Sequence, residues 1–258
     1  MKKPLLIQIV ILSIHCFLIA QVNTEAMRND DEIEGLKNKF SLELEYEKAD
    51  SEVLELSSAY RVDYKSKNNF HAFLAIKYNN GFEKESDEEK NVIKNKGFAH
   101  LRATKNISEK FGVESFAQYE FNDFLLISSR QLLGLGSRVE LNHGKIGNTF
   151  LGIGLMKEIE KYKGEGENLN NEDLIRSTNY IRNSMEISSN VTLGNTCYIQ
   201  ISTDDLNDYR ILYDGKINFN ISESIDFEFS INYRYDNEPH GNLENSYVQI
   251  SNGLSFEF

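Results

Sequence analysis

From Phe40 onward, apolar and polar residues alternate along the chain with a period of two. Between Ile225 and Asp236, every second residue is isoleucine, phenylalanine or tyrosine, and the residues between them are polar or charged. Similar alternation runs through 40–47 and 111–121. A helix would repeat its apolar positions every three to four residues, so these segments predict β-strands with one apolar and one polar face.

Counting such segments predicts about twelve strands, each near the 9–11 residues that cross a bilayer at a tilt. An even number of strands places both chain ends on the same side of a membrane. The predicted strand centres are Leu44, Tyr60, Leu74, Leu101, Ala117, Leu135, Ile153, Ile181, Ile199, Tyr213, Phe229 and Val248.

The last eight residues, 251–258, carry a second signal. They read polar-x-Gly-x-x-aromatic-x-aromatic, and the pattern resembles the C-terminal assembly signal of bacterial outer-membrane β-barrels. The resemblance implies recognition by the barrel assembly machinery through Ser251, Gly253, Phe256 and Phe258. A final strand with an apolar outer face suits a sheet that is covered by lipid and closed onto its first strand.

The fold class that follows is all-β, an antiparallel transmembrane β-barrel of about twelve strands. A soluble β-sandwich would show the same alternation, but the links between strands favour the barrel because short and long links mostly alternate. Short inner turns are predicted at 66–68, 106–109, 143–145, 190–195 and 220–223. Longer outer loops are predicted at 79–91, 164–173 and 237–245.

The first residues predict export. Residues 1–20 combine Lys2 and Lys3 with an apolar run and a small residue, Ala20, which is the pattern of a cleaved signal peptide. Residues 21–39 are polar and acidic and predict a flexible periplasmic segment, and residues 40–258 form the predicted barrel. The expected location is therefore the outer membrane of a Gram-negative bacterium.

Charge and cysteine content exclude some classes of function. The net charge of −12 argues against nucleic acid as a partner. Cys197 is the one cysteine left after removal of residues 1–20, so no disulfide within the chain is expected. No motif indicates a cofactor or a metal. The expected partners are outer-membrane lipid, lipopolysaccharide and the barrel assembly machinery, and the sequence does not specify an oligomeric state.

Short segments resemble a known family. They are Phe116–Glu120, Leu132–Gly136, Asp208–Arg210, Pro239–Gly241 and the strand that ends at Phe258. Together they are similar to domain-of-unknown-function family 481, the salt-induced outer membrane proteins. The resemblance covers most of the chain from Phe40 onward. It implies an outer-membrane barrel and supplies no catalytic residues.

The inward faces of the predicted strands carry charges of both signs. Such charges can fill and stiffen a narrow interior as ion pairs, or they can line a path for an ion or small solute. Filling is the favoured interpretation. The candidate lumen charges are Glu114, Glu120, Arg130, Arg138, Glu140, Arg182, Arg210, Asp226, Glu228 and Arg234.

Four glycines share one face of two consecutive predicted strands: Gly134, Gly136, Gly152 and Gly154. A glycine there permits sharp curvature or leaves room for a neighbouring aromatic ring such as that of Phe116. A ligand cavity is the less favoured alternative.

The sequence leaves the function open among three hypotheses. The first is a narrow channel for ions or small polar solutes. The second is a non-conducting structural or binding barrel whose outer loops engage a surface partner or lipopolysaccharide. The third is a lipid-modifying enzyme, which is disfavoured because no histidine after residue 20 is followed two residues later by serine, as in the outer-membrane phospholipase. We therefore expect no enzyme activity.

Overall fold

The structure, a computed structural model, describes residues 34–48, 51–85, 91–144, 147–163, 171–239 and 244–257. Within these ranges the chain forms twelve antiparallel strands that close into one barrel. The strands are β1 Gly35–Lys48, β2 Ser51–Ser66, β3 Phe70–Glu85, β4 Asn91–Asn106, β5 Phe111–Asn122, β6 Ile127–Asn142, β7 Asn148–Tyr162, β8 Asn171–Ser188, β9 Val191–Ser202, β10 Tyr209–Ser222, β11 Ile225–Asp236 and β12 Ser246–Glu257. A short 3-10 helix, Asp123–Leu125, joins β5 to β6.

Each strand pairs with its neighbours in the chain, and β12 pairs with β1 to close the sheet. In that last pair, Phe40 lies opposite Phe256 and Leu42 lies opposite Leu254. The seam is short, since Lys39–Leu42 pair with Leu254–Glu257, and along this stretch the two strands satisfy their backbone hydrogen bonds with each other. The fold class predicted from the sequence is confirmed, and all twelve predicted strand centres lie inside the corresponding strands.

The two faces of the sheet differ sharply in polarity. On β6, Leu133 and Leu135 point outward with 65% and 68% of their surfaces exposed, whereas Arg130 and Arg138 point inward and are buried. The outward face continues around the barrel with leucine, isoleucine, valine and aromatic side chains. A contiguous exposed apolar surface of this kind requires a cover, and lipid supplies it in a barrel. Among the described residues, no helix has the length and apolar character of a membrane span.

The strands are longer than predicted, at 12 to 18 residues. The first strand begins at Gly35, so the predicted flexible segment 21–39 is wrong over 35–39. These residues pair in register with Lys65 to Arg61 of β2. Lys37 and Lys39 point into the barrel, where many residues are charged. Because of these polar residues, the sequence did not predict a strand here. Residues 21–33 lie outside the described residues.

The links at the two ends of the barrel follow the predicted asymmetry with corrections. We call the end that carries Gly35 and Glu257 the inner end and the opposite end the outer end. The predicted turn at 190–195 is only 189–190, because β9 begins at Val191 and pairs there with β8 and β10. The predicted loop at 79–91 is also shorter, since β3 continues to Glu85. The acidic residues 86–90 lie outside the described residues.

An arginine substitution on the outward face tests lipid contact. Leu135→Arg is expected to lower the free energy of unfolding by about 2–4 kcal/mol, because arginine near the bilayer midplane loses its hydration. Leu141→Arg, which also faces outward but lies near the inner end of β6, is the control and should cost about 0–1 kcal/mol. Urea titration of vesicle-embedded protein, read by gel migration, gives both values. Equal penalties would contradict contact of Leu135 with hydrocarbon.

Candidate functional site

The interior of the barrel is the candidate site, because the alternation of each strand directs its polar face there. All ten candidate lumen charges occupy inward positions. Glu114, Glu120, Arg130, Arg138, Arg182, Arg210 and Arg234 are buried, and Glu140, Asp226 and Glu228 are half-buried. Their neighbours divide the interior into an outer half and an inner half, with bonds that cross the lumen between them.

A group of buried ion pairs occupies the outer half of the lumen, and we call it the charged layer. It consists of Glu120, Arg130, Glu158, Glu160, Arg176, Asp208, Arg210 and Asp236. Arg130 Nη1 donates to Glu120 Oε1 at 3.0 Å, and its Nε lies 2.6 Å from an oxygen of both Glu158 and Glu160. The layer therefore joins β5, β6 and β7.

Arg210 and Arg176 extend the charged layer toward β10 and β8. Arg210 Nη1 donates to Glu158 Oε1 at 2.9 Å, and Arg210 Nη2 lies 3.3 Å from Glu160 Oε2. Arg176 Nε donates to the other oxygen of Glu158 at 2.5 Å. Glu158 thus accepts bonds from three guanidinium groups at 0% exposure. Buried charges need this degree of pairing, because an unpaired charge out of water is strongly unfavourable.

Glu158, Glu160 and Arg176 were not predicted from the sequence. The sequence did contain a signal for the two glutamates. Like Gly152 and Gly154, Glu158 and Glu160 occupy even-numbered positions of β7, and these positions face the lumen. The alternation in polarity disappears there because the outward neighbours Lys157 and Lys161 are also charged, beyond the apolar part of β7.

Tyrosine bonds cross the middle of the lumen. Tyr180 on β8 donates from its hydroxyl to Glu114 Oε2 of β5 at 2.9 Å. Arg102 Nη2 on β4 lies 3.3 Å from the hydroxyl of Tyr198 on β9. Glu114 also accepts a 3.2 Å bond from Thr104. Strands that are not neighbours in the sheet are therefore held together through the interior.

Two of the four predicted glycines make room for aromatic rings, as expected. A Cβ atom on Gly134 would lie 2.2 Å from the ring of Phe116, and one on Gly152 would lie 2.0 Å from the ring of Tyr180. Gly136 and Gly154 instead lie against each other's backbone across the β6–β7 pair. Gly152 therefore fixes the position of the tyrosine that bonds Glu114 across the lumen.

A chamber of about 1120 Å³ occupies the inner half of the lumen. Most charges on its wall are paired: Lys37 with Glu257 at 2.7 Å, Lys216 with Glu228 at 2.9 Å, and others. Lys39 Nζ lies 3.2 Å from Asp226 Oδ2. The chamber has space for a small solute.

The histidines of the interior take part in structural contacts. His100 Nδ1 lies 3.0 Å from Gln118 Oε1, and its ring stacks on Phe116 with 5.8 Å between centroids. His71 Nε2 lies 2.9 Å from Asp63 Oδ1. Among the side chains that the structure describes, no group of three His, Cys, Asp or Glu residues is arranged to hold a metal ion.

The outer rim between β5 and β6 is held by Asp123. Its carboxylate lies 2.7 Å from Lys163 Nζ and accepts a 3.0 Å bond from Asn95. Burial acts to raise the pKa of Asp123, but the bonds from Lys163 and Asn95 outweigh it and leave the pKa below its usual value. Leu125, Ile127 and Tyr162 form a buried apolar cluster beside this link.

The residues of the predicted assembly signal lie on both faces of β12. Phe256 points outward, while the Ser251 hydroxyl lies 2.8 Å from that of Ser230 in the interior. Gly253 faces the lumen, where a Cβ atom would lie 2.7 Å from Glu43 Cγ. Phe258 lies outside the described residues, and recognition of this segment stays a prediction.

A closed sheet with an apolar outer face and a charged lumen defines an outer-membrane β-barrel. The chain belongs to the family described as "Protein of unknown function, DUF481", whose family model matches residues 40–258. This finding confirms the family resemblance noted in the sequence. No curated protein matches the chain.

The chain is similar to several solved structures at low sequence identity. The translocator domain of autotransporter NalP from Neisseria meningitidis is 11% identical, with a TM-score of 0.54 over 87% of this chain and 89% of that chain. The NanC porin is 11% identical, with a TM-score of 0.42 over 86% and 98% of the two chains. The KdgM porin is 9% identical, with a TM-score of 0.43 over 86% and 99%. The similarity to the translocator domain shows a shared fold.

Gly152→Ala tests the contact between Gly152 and Tyr180. We expect the free energy of unfolding to fall by about 1–3 kcal/mol, because the new methyl group overlaps the ring. Gly144→Ala is the control, since no atom lies within 4 Å of its added Cβ. In a Tyr180→Ala background the penalty at Gly152 should vanish. A penalty that persists there, measured by urea titration, would contradict the role of the ring.

Glu158→Ala tests the charged layer. It is expected to lower the free energy of unfolding by about 3–5 kcal/mol, because three buried guanidinium groups lose a shared partner. Lys157→Ala on the same strand is the control. Its exposed pair with Asp173 should contribute about 0–1 kcal/mol. Similar losses for both variants in urea titration would refute the special role of the buried pairs.

Proposed function

We propose that the protein is a binding barrel of the outer membrane that admits small polar solutes or ions to its inner chamber while the charged layer keeps the outer half closed. The single observation that carries this proposal is the division of one lumen into an open chamber and a layer of buried ion pairs. A general diffusion pore needs a continuous aqueous path instead.

The burial of the charged layer supports closure. Glu158 and Arg130 are 0% and 2% exposed although both lie on the lumen side of the sheet. Water that passed through the outer half would have to reach these side chains. Their mutual bonds favour the closed arrangement, because separating them leaves unpaired charges away from bulk water.

A narrow channel is the second candidate function. It is favoured by the composition of the barrier, since the contacts that cross the described interior are made by side chains such as Arg210 and Tyr180. Side chains change rotamer far more readily than a folded backbone plug leaves a barrel. Brief separation of the ion pairs would open a path for ions or small polar solutes.

The surroundings of the barrel follow from its surface. We propose that residues 1–20 are removed on export, that lipid covers the outward apolar face and that lipopolysaccharide contacts the outer rim. The assembly machinery would recognise Ser251, Gly253, Phe256 and Phe258. The net charge of −12 argues against nucleic acid as a partner. The proposed role involves no catalysis, and the contacts of His71 and His100 support structural roles for both.

Planar-bilayer recordings of the purified protein test closure. The protein is expected to give no long-lived openings, and the charge-balanced variant Arg130→Ala with Glu158→Ala should open frequently, because the centre of the charged layer is gone. Lys157→Ala is the control and should behave as the unmodified protein does. Heat-dependent gel migration confirms that each variant is folded. Large, steady openings of the unmodified protein would refute the proposal.

A further inference from the structure

Two lysines of the lumen differ from the other cations of the described interior. Lys77 on β3 and Lys96 on β4 both occupy inward positions, with Lys77 opposite Phe98 and Asn79 opposite Lys96 in the register. They are therefore diagonal neighbours on the same face of the sheet, with roughly 7–8 Å between them at the backbone. Side chains of this length can bring both ammonium groups to one small ligand.

Neither lysine has a carboxylate partner among the described side chains. Glu55, whose charge acts on Lys96, forms its ion pair with Lys94. Glu228, whose charge acts on Lys77, forms its ion pair with Lys216 at 2.9 Å. The nearby Arg234 is held by Asp214 at 2.8 Å. These three acids are thus already paired with other cations, and Lys77 and Lys96 repel each other.

One of the two lysines is directly accessible from the chamber, and the other lies next to it. Lys77 lines the inner chamber, and Lys96 is a half-buried residue on the same inward face, one diagonal position farther toward the outer end. A solute that enters from the inner end can therefore reach Lys77 directly. The walls of the lumen have a lower dielectric constant than water, which strengthens the attraction between a lysine and an anion inside it.

Acidic groups of the chamber offer a competing cation site, and the geometry disfavours it. Glu43 faces the lumen without a described ion pair, but it is a single carboxylate. Its neighbours across the sheet in the register are the uncharged residues Ser57 of β2 and then Asn79 of β3. Glu186 and Glu223 are exposed near the inner rim, where water solvates them. No third acid joins any of these in a metal-binding arrangement among the described residues.

We propose that Lys77 and Lys96 form a binding site for a small oxyanion, of the size and charge of inorganic phosphate, at the end of the inner chamber. This inference rests on the proposed binding function of the chamber and names its ligand class. The anion would take the place of the missing carboxylate partners and relieve the repulsion between the two ammonium groups. Lysine serves in this way at phosphate sites in other proteins as a compact point charge.

Calorimetric titration with inorganic phosphate tests the site in the full-length barrel in detergent. The variant Lys77→Gln with Lys96→Gln should bind phosphate at least ten-fold more weakly. The matched control is Lys37→Gln with Lys39→Gln, which removes the same charge from lysines of the chamber that already have partners. The control should change the affinity by no more than about three-fold, as expected for distant charges screened by salt.

Three outcomes would overturn the inference: no phosphate binding by the unmodified protein, equal weakening in both double variants, or no weakening in either. Should the first double variant lack the heat-dependent migration of the folded barrel, the single variants Lys77→Gln and Lys96→Gln are judged by the same criterion. Failure here is distinguishable from failure of the proposed function. A lumen that is silent in bilayers but binds no phosphate refutes only the ligand class, whereas a wide open pore refutes the function.

Discussion

Closure of the sheet between β1 and β12 is the constraint on which the rest of the structure depends. Only a sheet without free edges can satisfy its backbone hydrogen bonds inside hydrocarbon. Closure also separates every strand into an outward face, which must be apolar, and an inward face, which cannot reach lipid. The pairing of Phe40 with Phe256 and of Leu42 with Leu254 makes that seam as apolar outside as the remainder of the barrel.

The inward face then carries the charges, and their pairing shapes the lumen. Where acids and arginines from β5 to β10 meet, their side chains are buried against one another. Where lysine–carboxylate pairs lie close to the wall, as with Lys216 and Glu228, space remains for the chamber. One alternating pattern therefore produces both a layer of buried ion pairs and a cavity, and the difference lies in which partners the side chains can reach.

Much of the fold could be predicted from the sequence, because alternation is a local property. The alternation of odd and even positions within each segment was enough to predict the twelve strands, the outward apolar face and the inward position of the ten candidate charges. The start of β1 was missed because Lys37 and Lys39 are as polar as a loop. The role of the inner glycines was partly predictable, since Gly134 and Phe116 lie on neighbouring strands and on the same face of the sheet.

The charged layer was harder to predict for two physical reasons. Near the outer rim the outward positions of β7 are also charged, so alternation in polarity no longer marks the inward face at Glu158 and Glu160. Bonds across the lumen, such as that between Tyr180 and Glu114, depend on the curvature of the closed sheet and on side-chain reach. Neither quantity can be read from one segment alone.

The central claim is that the barrel has lipid outside and, inside, a chamber that opens only at its inner end. Cysteine labelling tests it most directly, in a Cys197→Ser background. Ser57→Cys faces the chamber and Ser58→Cys the outward side. A charged thiol reagent should label Ser57→Cys only after the inner side is exposed and should leave Ser58→Cys unlabelled throughout. Rapid labelling of Ser57→Cys from outside intact cells, or labelling of Ser58→Cys from either side, would contradict this account.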